Sequence, residues 1–393
     1  MEKLLERIKR DISAGLECEN ELSDEKVSEA IEQKAFELCE KQGGNLLNAE
    51  RLIKTARDDI LGFGPVQCLF EDDSITEIMI NAGNVYFEKD GKILKSDMDI
   101  IDPTECMKII STVCRKSGRT VNTAVPITDA CLADGTRINI VLAPVSVNGP
   151  AVTIRKFPKT PLSGGDLVRN GFCSSAALDF LEQLYRARYN MFICGGAGTG
   201  KTTLLNVLAN CTGSGERIIT IEDSAELRID KVDNIVRLEA RVKNSEGAGE
   251  IKIRDLIRTS LRMRPDRIIV GEVRGGEALD MLQAMNTGHE GSISTGHANS
   301  CAELISRLET MVLMGKDIPL MAVRKQITMA IDIVICISKP GGERKITEIS
   351  ELSEAKNGEA VLHELFRYDY MKNKLVQTGD IIEKTKLRRL LYA

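Results

Sequence analysis

Histidine is scarce in this chain, and cysteine occurs without the close spacing that metal sites use. The 393 residues include three histidines and eleven cysteines, and no C-x-x-C motif occurs among them. Structural zinc sites are built from closely placed Cys and His ligands, so the sequence argues against a zinc cluster. The cysteines are predicted to be reduced thiols that serve as small apolar residues in a cytosolic protein.

Long apolar runs are also missing. The longest uncharged stretch, residues 138–154, is interrupted by asparagines, a glycine and two prolines, whereas a membrane-spanning helix needs about 20 consecutive apolar residues. The first residues, 1–7, are charged and amphipathic and lack the apolar core of a signal peptide. We therefore expect a cytoplasmic chain without a span of its own, which reaches the cytoplasmic membrane only through partner proteins.

Positive charge is not in excess. Lysine and arginine number 53 against 58 aspartates and glutamates, which gives a formal net charge of −5. This balance provides no overall attraction for nucleic acid, and no sequence-specific nucleic-acid partner is expected. The length and the 42% of hydrophobic residues are typical of a globular protein with two or three domains.

The patterning of the first part of the chain predicts two regions. Residues 1–60 have helical spacing and form either a small docking domain or a solvated helical arm. The apolar series there begins Leu4, Ile8, Ile12 and Leu16. Residues 61–157 change to short strands with turn signals at 90–91 and 134–135 and a helix start at 102–103. They are predicted to form a compact α+β domain.

Three further regions are predicted in the rest of the chain. Residues 158–171 are rich in proline and glycine and are interpreted as a linker. In residues 172–340 strands alternate with helical patterns, which predicts an α/β domain with a mostly parallel sheet. Residues 341–393 are expected to be a C-terminal extension with a hairpin at 356–358.

One segment carries the strongest chemical signal, a match to G-x-x-x-x-G-K-[ST]. An apolar strand pattern precedes it and a helical pattern follows it. Backbone N–H groups of such a loop and the helix N-terminus hold a phosphate. Lys201 can reach the outer phosphates and the Thr202 hydroxyl can ligate magnesium, so the chain is predicted to bind ATP and Mg²⁺. The nucleotide-binding residues are Gly195, Gly196, Ala197, Gly198, Thr199, Gly200, Lys201, Thr202 and Thr203.

A second strand is expected to place a carboxylate beside this loop. The run 267–270 leads to Glu272, which would lie at the carboxyl end of a buried strand. Most phosphate-loop enzymes have aspartate at the position of Gly271 in this chain. Thr202 is therefore predicted to be the main protein ligand of magnesium, with Glu272 acting directly or through water.

Acidic residues and histidines form two more candidate groups. Glu222, Asp223 and Glu226 follow a predicted strand, where carboxylates act in catalysis but also cap helices or remain surface charges. His289 and His297 lie at the two ends of a strand-like run. A histidine at the carboxyl end of a strand can bind a terminal phosphate, while the alternative is a polar side chain that fixes a loop.

In their order along the chain, the phosphate loop, the acidic segment, the strand that leads to Glu272 and the histidine segment resemble the secretion and pilus traffic ATPases of type II and type IV secretion systems. They correspond there to the phosphate loop, the aspartate box, an atypical Walker B strand with Gly-Glu, and the histidine box. Further likeness to the CpaF-like branch, which assembles tight-adherence (Flp) pili, lies in 238–241, 257–267, 271–278 and 281–289. The C-x-x-C insertion of many type II relatives is absent, which also favours that branch.

The resemblance implies a homohexameric ring. Each subunit would pair a PAS-like N-terminal domain with a RecA-like motor domain that hydrolyses ATP with Mg²⁺. It implies that Glu226 is the base or positions water, that Glu272 organises magnesium and water, and that His297 senses the γ-phosphate, with His289 as a further site residue. Arginines from the N-terminal domain would complete the site, because a guanidinium delivered by another domain stabilises phosphoryl transfer only on closure. These are Arg119, Arg137 and Arg155, and each can equally be a surface ion pair.

Three functions are compatible with these residues. The first is an ATP-hydrolysing motor that acts on a membrane platform protein and drives assembly of a type IV pilus or a type II pseudopilus. The second is a relative that powers export of protein or DNA by type IV secretion. The third is a scaffold that binds ATP and hydrolyses almost none. Lys201, Glu226 and Glu272 argue against the scaffold, because a pure binding module has little need for groups that handle water.

Overall fold

The computed structural model separates the chain into two compact units, residues 1–159 and 160–393, and each is described by itself. The structure describes residues 4–8, 10–12, 24–41, 46–89, 91–98, 100–157, 161–241, 243, 249–354 and 358–390. Four features of the sequence predictions lie outside these residues, at Leu16, Asp90, 158–160 and 356–357. None of the helices in the described ranges has the length and apolar character that a membrane crossing requires.

The first unit begins with helices, as the periodicity predicts. Residues 4–8 and 10–12 are helical, and α1 (Asp24–Lys41) and α2 (Leu46–Ile60) follow. Apolar residues spaced three or four apart form a buried core between them. The buried members include Ile8, Ile31, Ala35, Leu52 and Ala56.

The α+β part of this unit is built on an antiparallel sheet with the order β3-β2-β1-β6-β5-β4. Its strands are β1 (Ile75–Asn81), β2 (Asn84–Lys89), β3 (Lys92–Lys95), β4 (Ile127–Cys131), β5 (Arg137–Val141) and β6 (Ala151–Arg155), with helices α3 (Gln67–Glu71) and α4 (Pro103–Ser117). Asp102 caps α4 through the amides of Thr104 and Glu105, at 2.7 and 3.0 Å. Both predicted hairpins are present. The likeness to a PAS domain stays a prediction.

The second unit contains a larger mixed sheet with the order β15-β14-β13-β12-β7-β11-β10-β8-β9. The parallel strands are β7 (Met191–Gly195), β8 (Ile218–Glu222), β9 (Ile235–Glu239), β10 (Arg267–Val270), β11 (Ile293–Gly296) and β12 (Ile333–Ser338). The antiparallel strands are β13 (Lys345–Glu354), β14 (Ala360–Asp369) and β15 (Lys374–Gln377). The predicted RecA-like α/β fold is therefore confirmed.

Helices cover both faces of this sheet, which explains its nearly continuous apolar strands. They are α5 (Gly164–Arg169), α6 (Ser175–Arg186), α7 (Lys201–Ala209), α8 (Ile253–Ser260), α9 (Glu277–Asn286), α10 (Cys301–Gly315), α11 (Leu320–Ala330) and α12 (Thr385–Arg389). One core includes residues of α5, α6 and α7, and the other includes residues of α8 to α11. Every residue of β7 is buried between them.

Two regional predictions need correction. The described part of the predicted linker is not a linker, because Ser163 and Asp166 form a capping box at the start of α5 and Leu167 is buried in the core. Gly164 and Gly165 lie in the first turn of α5, and Gly171 follows the helix with a φ angle of 67°. The C-terminal residues are not an appendage either, since β13 to β15 continue the sheet. Buried Glu351 also holds the amides of Ile382 and Glu383, at 2.7 and 2.8 Å.

A buried ion pair at the amino end of β10 leads to a stability prediction. Arg267 is fully buried and donates Nε and Nη2 to Glu216, at 2.6 and 3.1 Å, and Nη1 to the carbonyl of Tyr185 at 2.7 Å. We expect Glu216→Ala to lower the free energy of unfolding by about 3–5 kcal/mol, because it leaves a buried guanidinium without its counter-charge. Calorimetry should show a melting temperature lower by roughly 6–20 °C for a domain of this size.

The matched control for that change is Glu182→Ala. Glu182 pairs with Arg186 at 3.5 Å on the surface of α6, where such pairs contribute about 0–1 kcal/mol. Equal melting temperatures for the two variants would contradict a stabilising role for the Arg267 pair.

Candidate active site

The strand order brings the predicted motifs to one edge of the larger sheet. In parallel strands all carboxyl ends lie at the same edge, where α/β proteins bind ligands. The phosphate loop follows β7, His297 follows the adjacent β11, and Glu272 follows β10, the next strand. The acidic segment begins at the end of β8, which pairs with β10. Residues up to 102 positions apart in the sequence, from Gly195 to His297, thus meet at one site.

The phosphate loop has the backbone that its glycines allow. Gly198 and Gly200 have φ angles of 64° and 103°, in the left-handed region that favours glycine. A Cβ atom on Gly195 would lie 2.5 Å from the carbonyl oxygen of Ile337 and 2.6 Å from Oγ1 of Thr199. Helix α7 begins directly after Gly200, so the loop and the helix N-terminus form the phosphate cradle that the motif predicts.

Lys201 is buried within this cradle. Its Nζ donates hydrogen bonds to the carbonyls of Gly195 and Gly196, at 3.0 and 2.9 Å. Burial lowers the pKa of the ammonium, while Glu272 acts in the opposite direction. An ammonium held by loop carbonyls is already positioned where a bound phosphate would meet it.

The two carboxylate oxygens of Glu272 have different surroundings. Oε2 accepts a hydrogen bond from Nε of Arg274 at 2.8 Å. Oε1 is buried and makes no hydrogen bond within the described residues, although Nε2 of His297 lies 2.7 Å away. A buried acceptor without a hydrogen bond is costly, and it fits an oxygen that takes a water proton or ligates a hard cation. Together with the Thr202 hydroxyl in the first turn of α7, it provides the oxygen ligands that Mg²⁺ prefers.

His297 lies within the electrostatic field of this cluster. Burial and the positive charge of Lys201 lower the pKa of its imidazole, Arg274 and Arg307 contribute in the same direction, and Glu272 opposes them. The lowered pKa favours the neutral ring, which carries one N–H donor and one acceptor nitrogen. Such a ring can bind a phosphate oxygen or a water molecule without adding charge.

The structure explains why glycine replaces the expected aspartate at position 271. A Cβ atom on Gly271 would lie 3.0 Å from Cγ of Glu222. Glu222 is buried and accepts hydrogen bonds from the amides of Glu226 and Leu227, at 2.9 and 3.1 Å. A larger residue at 271 would therefore require the Glu222 side chain to shift by a few tenths of an ångström. Glu222 thus anchors the acidic segment, which contains no helix, so this residue is neither the helix cap nor the surface charge weighed for the cluster.

The other acidic residues of this segment face the cluster. Asp223 Oδ2 lies 3.9 Å from Nη1 of Arg274. Glu226 is half-buried, and its charge helps to raise the pKa of the Arg274 guanidinium. The structure therefore brings the aspartate-box segment and Glu272 to the same guanidinium.

His289 is not brought to this edge. It precedes β11, whereas His297 follows it, so the two histidines lie at opposite ends of the strand. The ring nitrogen Nδ1 of His289 is 3.1 Å from the carbonyl oxygen of Ala284 at the end of α9. This geometry fits the alternative given for His289 from the sequence, a polar side chain that fixes a loop.

The three arginines predicted to complete the site lie in the first unit. Arg137 begins β5 and Arg155 ends β6, and the two are cross-strand partners. Arg119 follows the end of α4, where its amide donates to the carbonyl of Cys114 at 3.2 Å. The structure thus places Arg137 and Arg155 side by side. The catalytic role of all three stays a prediction.

Two residues near the phosphate loop carried no assigned role in the sequence predictions. Arg274 belongs to the motif around Glu272, but no pattern indicates that its guanidinium holds that carboxylate. Lys339 lies two residues beyond Ile337, which pairs with Gly195. Its Nζ is 3.6 Å from the position of a Cβ on Gly198. The position of Lys339 beside the phosphate loop follows from the register of β12 against β7, which the sequence does not give.

Relatives with curated names share most of the chain. A Mycobacterium tuberculosis protein whose name assigns it to conjugal transfer is 32% identical over 312 residues, which cover 77% of this chain and 88% of the relative. The type IV secretion system protein PtlH of Bordetella pertussis is 30% identical over 303 residues, covering 70% and 89%. Conjugal transfer protein TrbB of Rhizobium radiobacter is 29% identical and covers 78% and 92%.

Solved structures show the same fold. The ATPase DotB of Legionella pneumophila is 19% identical, with a TM-score of 0.50, over 82% of this chain and 81% of that one. The pilus retraction motor PilT with bound ADP is 21% identical, with a TM-score of 0.51, over 84% and 87%. The model of the family described as type II/IV secretion system protein matches residues 59–377. With that match across most of its length, and a phosphate loop, Glu272 and His297 gathered at one sheet edge, this chain belongs to the type II/IV secretion system protein family.

Proposed function

We propose that this chain is an ATPase that works as a homohexameric motor of a secretion or pilus machine. One observation carries the proposal: Oε1 of Glu272 is buried 2.7 Å from Nε2 of His297, in the same cluster as Lys201, and accepts no hydrogen bond within the described residues. A scaffold that only binds ATP needs the phosphate cradle but has no use for a buried carboxylate beside it.

Each residue of the cluster has a distinct part in this proposal. Lys201 and the loop amides bind the phosphates, and Thr202 and Glu272 would hold magnesium, which neutralises charge on the phosphate oxygens when bound. Glu226 orients or deprotonates the attacking water. The neutral ring of His297 binds the terminal phosphate oxygen and loses that contact after hydrolysis.

Arg119, Arg137 and Arg155 remain the proposed guanidinium donors from the N-terminal unit. The cross-strand pairing of Arg137 with Arg155 supports this role, because it places two guanidinium-bearing residues opposite each other on neighbouring strands. Their replacement by glutamine is expected to reduce turnover while ATP binding to Lys201 is retained.

Two kinds of machine are proposed for the motor. The resemblance in 257–267 and 271–278 favours assembly of a tight-adherence pilus, or a type II pseudopilus, through a platform protein of the cytoplasmic membrane. The names of the relatives in conjugal transfer and type IV secretion favour export of DNA or protein. In both cases the chain would be cytoplasmic and peripheral to the membrane.

Chromosomal replacement of the gene by its Lys201→Ala version separates these machines. We expect loss of surface pili, counted by electron microscopy, with unchanged transfer of DNA and unchanged secreted protein. Normal piliation with lost transfer or secretion would establish the export machine instead. If both outputs persist although the variant protein is present at wild-type levels, the proposed motor function is wrong.

A further inference from the structure

Arg274 is placed to control how Glu272 presents its carboxylate. Its Nε and Nη2 both bind Oε2 of Glu272, at 2.8 and 2.5 Å. The terminal torsion of a glutamate is broad and roughly two-fold, so an unrestrained carboxylate exchanges its oxygens easily. With Oε2 held by two N–H groups, Oε1 is the oxygen that remains beside His297.

The backbone under Arg274 is fixed, while its side chain extends into solvent. The amides of Arg274 and Gly275 both donate to Oε1 of Glu277, at 2.8 Å each, in the first turn of α9. The side chain itself is 64% exposed, against 17% for Glu272. A fixed backbone with an exposed guanidinium can direct a neighbouring carboxylate without contributing to the core.

The same guanidinium also reaches the acidic segment after β8. Nη1 lies 3.9 Å from Oδ2 of Asp223. Since Glu222 fixes the backbone of this segment through the amides of Glu226 and Leu227, the guanidinium spans two independently anchored elements. It is the group that connects the carboxylate after β10 with those after β8.

We propose that Arg274 is a positioning residue for ATP hydrolysis, which holds the carboxylate of Glu272 in place and ties it to the acidic segment 222–227. The inference rests on the proposed ATPase function. Arg274 acts through Glu272 and has no role in nucleotide binding itself. Residues that orient a metal-binding or water-binding group typically change activity by about 10–100-fold when they are replaced.

The test compares Arg274→Gln and Arg274→Lys with the matched control Arg186→Gln, which breaks an Arg–Glu pair on the surface of α6. We expect Arg274→Gln to lower kcat for ATP by about 10–100-fold and to leave KM within about two-fold. Lysine should restore part of kcat, because it returns the charge but not the two-pronged contact. The melting temperatures of all three variants should match the wild type, since these side chains are exposed.

A double-mutant cycle with Glu272→Gln distinguishes a positioning role from direct contact with phosphate. If Arg274 acts through Glu272, Arg274→Gln causes no further loss of single-turnover rate in the Glu272→Gln background. A full additional loss, or an effect mainly on KM, would overturn the inference in favour of direct nucleotide contact. If Arg274→Gln has the same turnover as Arg186→Gln, Arg274 forms only a surface ion pair and the inference is wrong.

The Lys201→Ala protein separates failure of this inference from failure of the ATPase assignment. Wild-type turnover that disappears in Lys201→Ala, together with an unaffected Arg274→Gln, overturns the role of Arg274 alone. Wild-type turnover no higher than that of Lys201→Ala overturns both.

Discussion

Replacing Lys201 by alanine is expected to reduce ATP hydrolysis by about 10²–10³-fold, the cost of removing one charged group that stabilises a reacting centre. The ammonium is buried in the cradle and bonded only to the carbonyls of Gly195 and Gly196 in the described residues. Removing it leaves the loop itself with backbone amides but without a positive charge opposite the phosphate. Nucleotide affinity should also fall, by about 10–100-fold for a lost charged hydrogen bond.

The measurement is phosphate release at saturating ATP and Mg²⁺, with binding of a fluorescent ATP analogue recorded in parallel. Lys325→Ala is the matched control, because Lys325 is exposed on α11, where alanine preserves the helix. Turnover of Lys201→Ala within two-fold of this control would show that the loop does not serve the chemistry.

Glu272→Gln is expected to separate binding from hydrolysis. Glutamine has nearly the same shape as glutamate but carries no charge. It therefore binds Mg²⁺ and orients water less strongly than the carboxylate does, and it cannot form the ion pair with Arg274. We expect kcat to fall by about 10²–10³-fold, while ATP binding is retained because Lys201 and the loop are unchanged. The variant should therefore accumulate bound ATP in place of ADP.

A closely matched control exists in the same unit. Glu309 accepts a hydrogen bond from Nε of Arg324 at 2.8 Å, and its side chain is 17% exposed, as is that of Glu272. Glu309→Gln should retain full turnover. Quenched single-turnover reactions, with ATP and ADP separated after filtration, give the comparison. Rapid ATP cleavage by Glu272→Gln would show that Glu272 is a structural acid and that hydrolysis does not depend on its charge.

Most of the second unit could be predicted from the chain. The apolar runs at 191–194, 268–270 and 333–337 lie within β7, β10 and β12, because strands buried on both faces need continuous apolar residues. The phosphate loop could also be predicted, because the backbone of such a loop requires its glycines and the phosphate requires its lysine within one short segment.

Other features depended on contacts that local patterns do not contain. Proline and glycine mark breaks in secondary structure, so they could not distinguish a linker from the capped helix α5, whose Leu167 is buried by distant residues. His289 and His297 are close in sequence, but a strand of four residues separates them. They therefore lie at opposite edges of the sheet. The replacement of aspartate by Gly271 was visible, but its cause, contact with Glu222, was not.

The sequence by itself determined that this protein has a phosphate-binding loop between a buried strand and a helix, because glycine φ angles, loop amides and a lysine occur within nine residues. Only the tertiary structure decided which side chains surround that loop. The order of β7, β11, β10 and β8 places His297, Glu272, Arg274 and the acidic segment around it. The hydrogen bonds from Arg274 to Oε2 of Glu272 then decide that Oε1 is the oxygen beside His297. Those contacts join residues that are far apart in the chain, and strand order, which no local pattern encodes, brings them together.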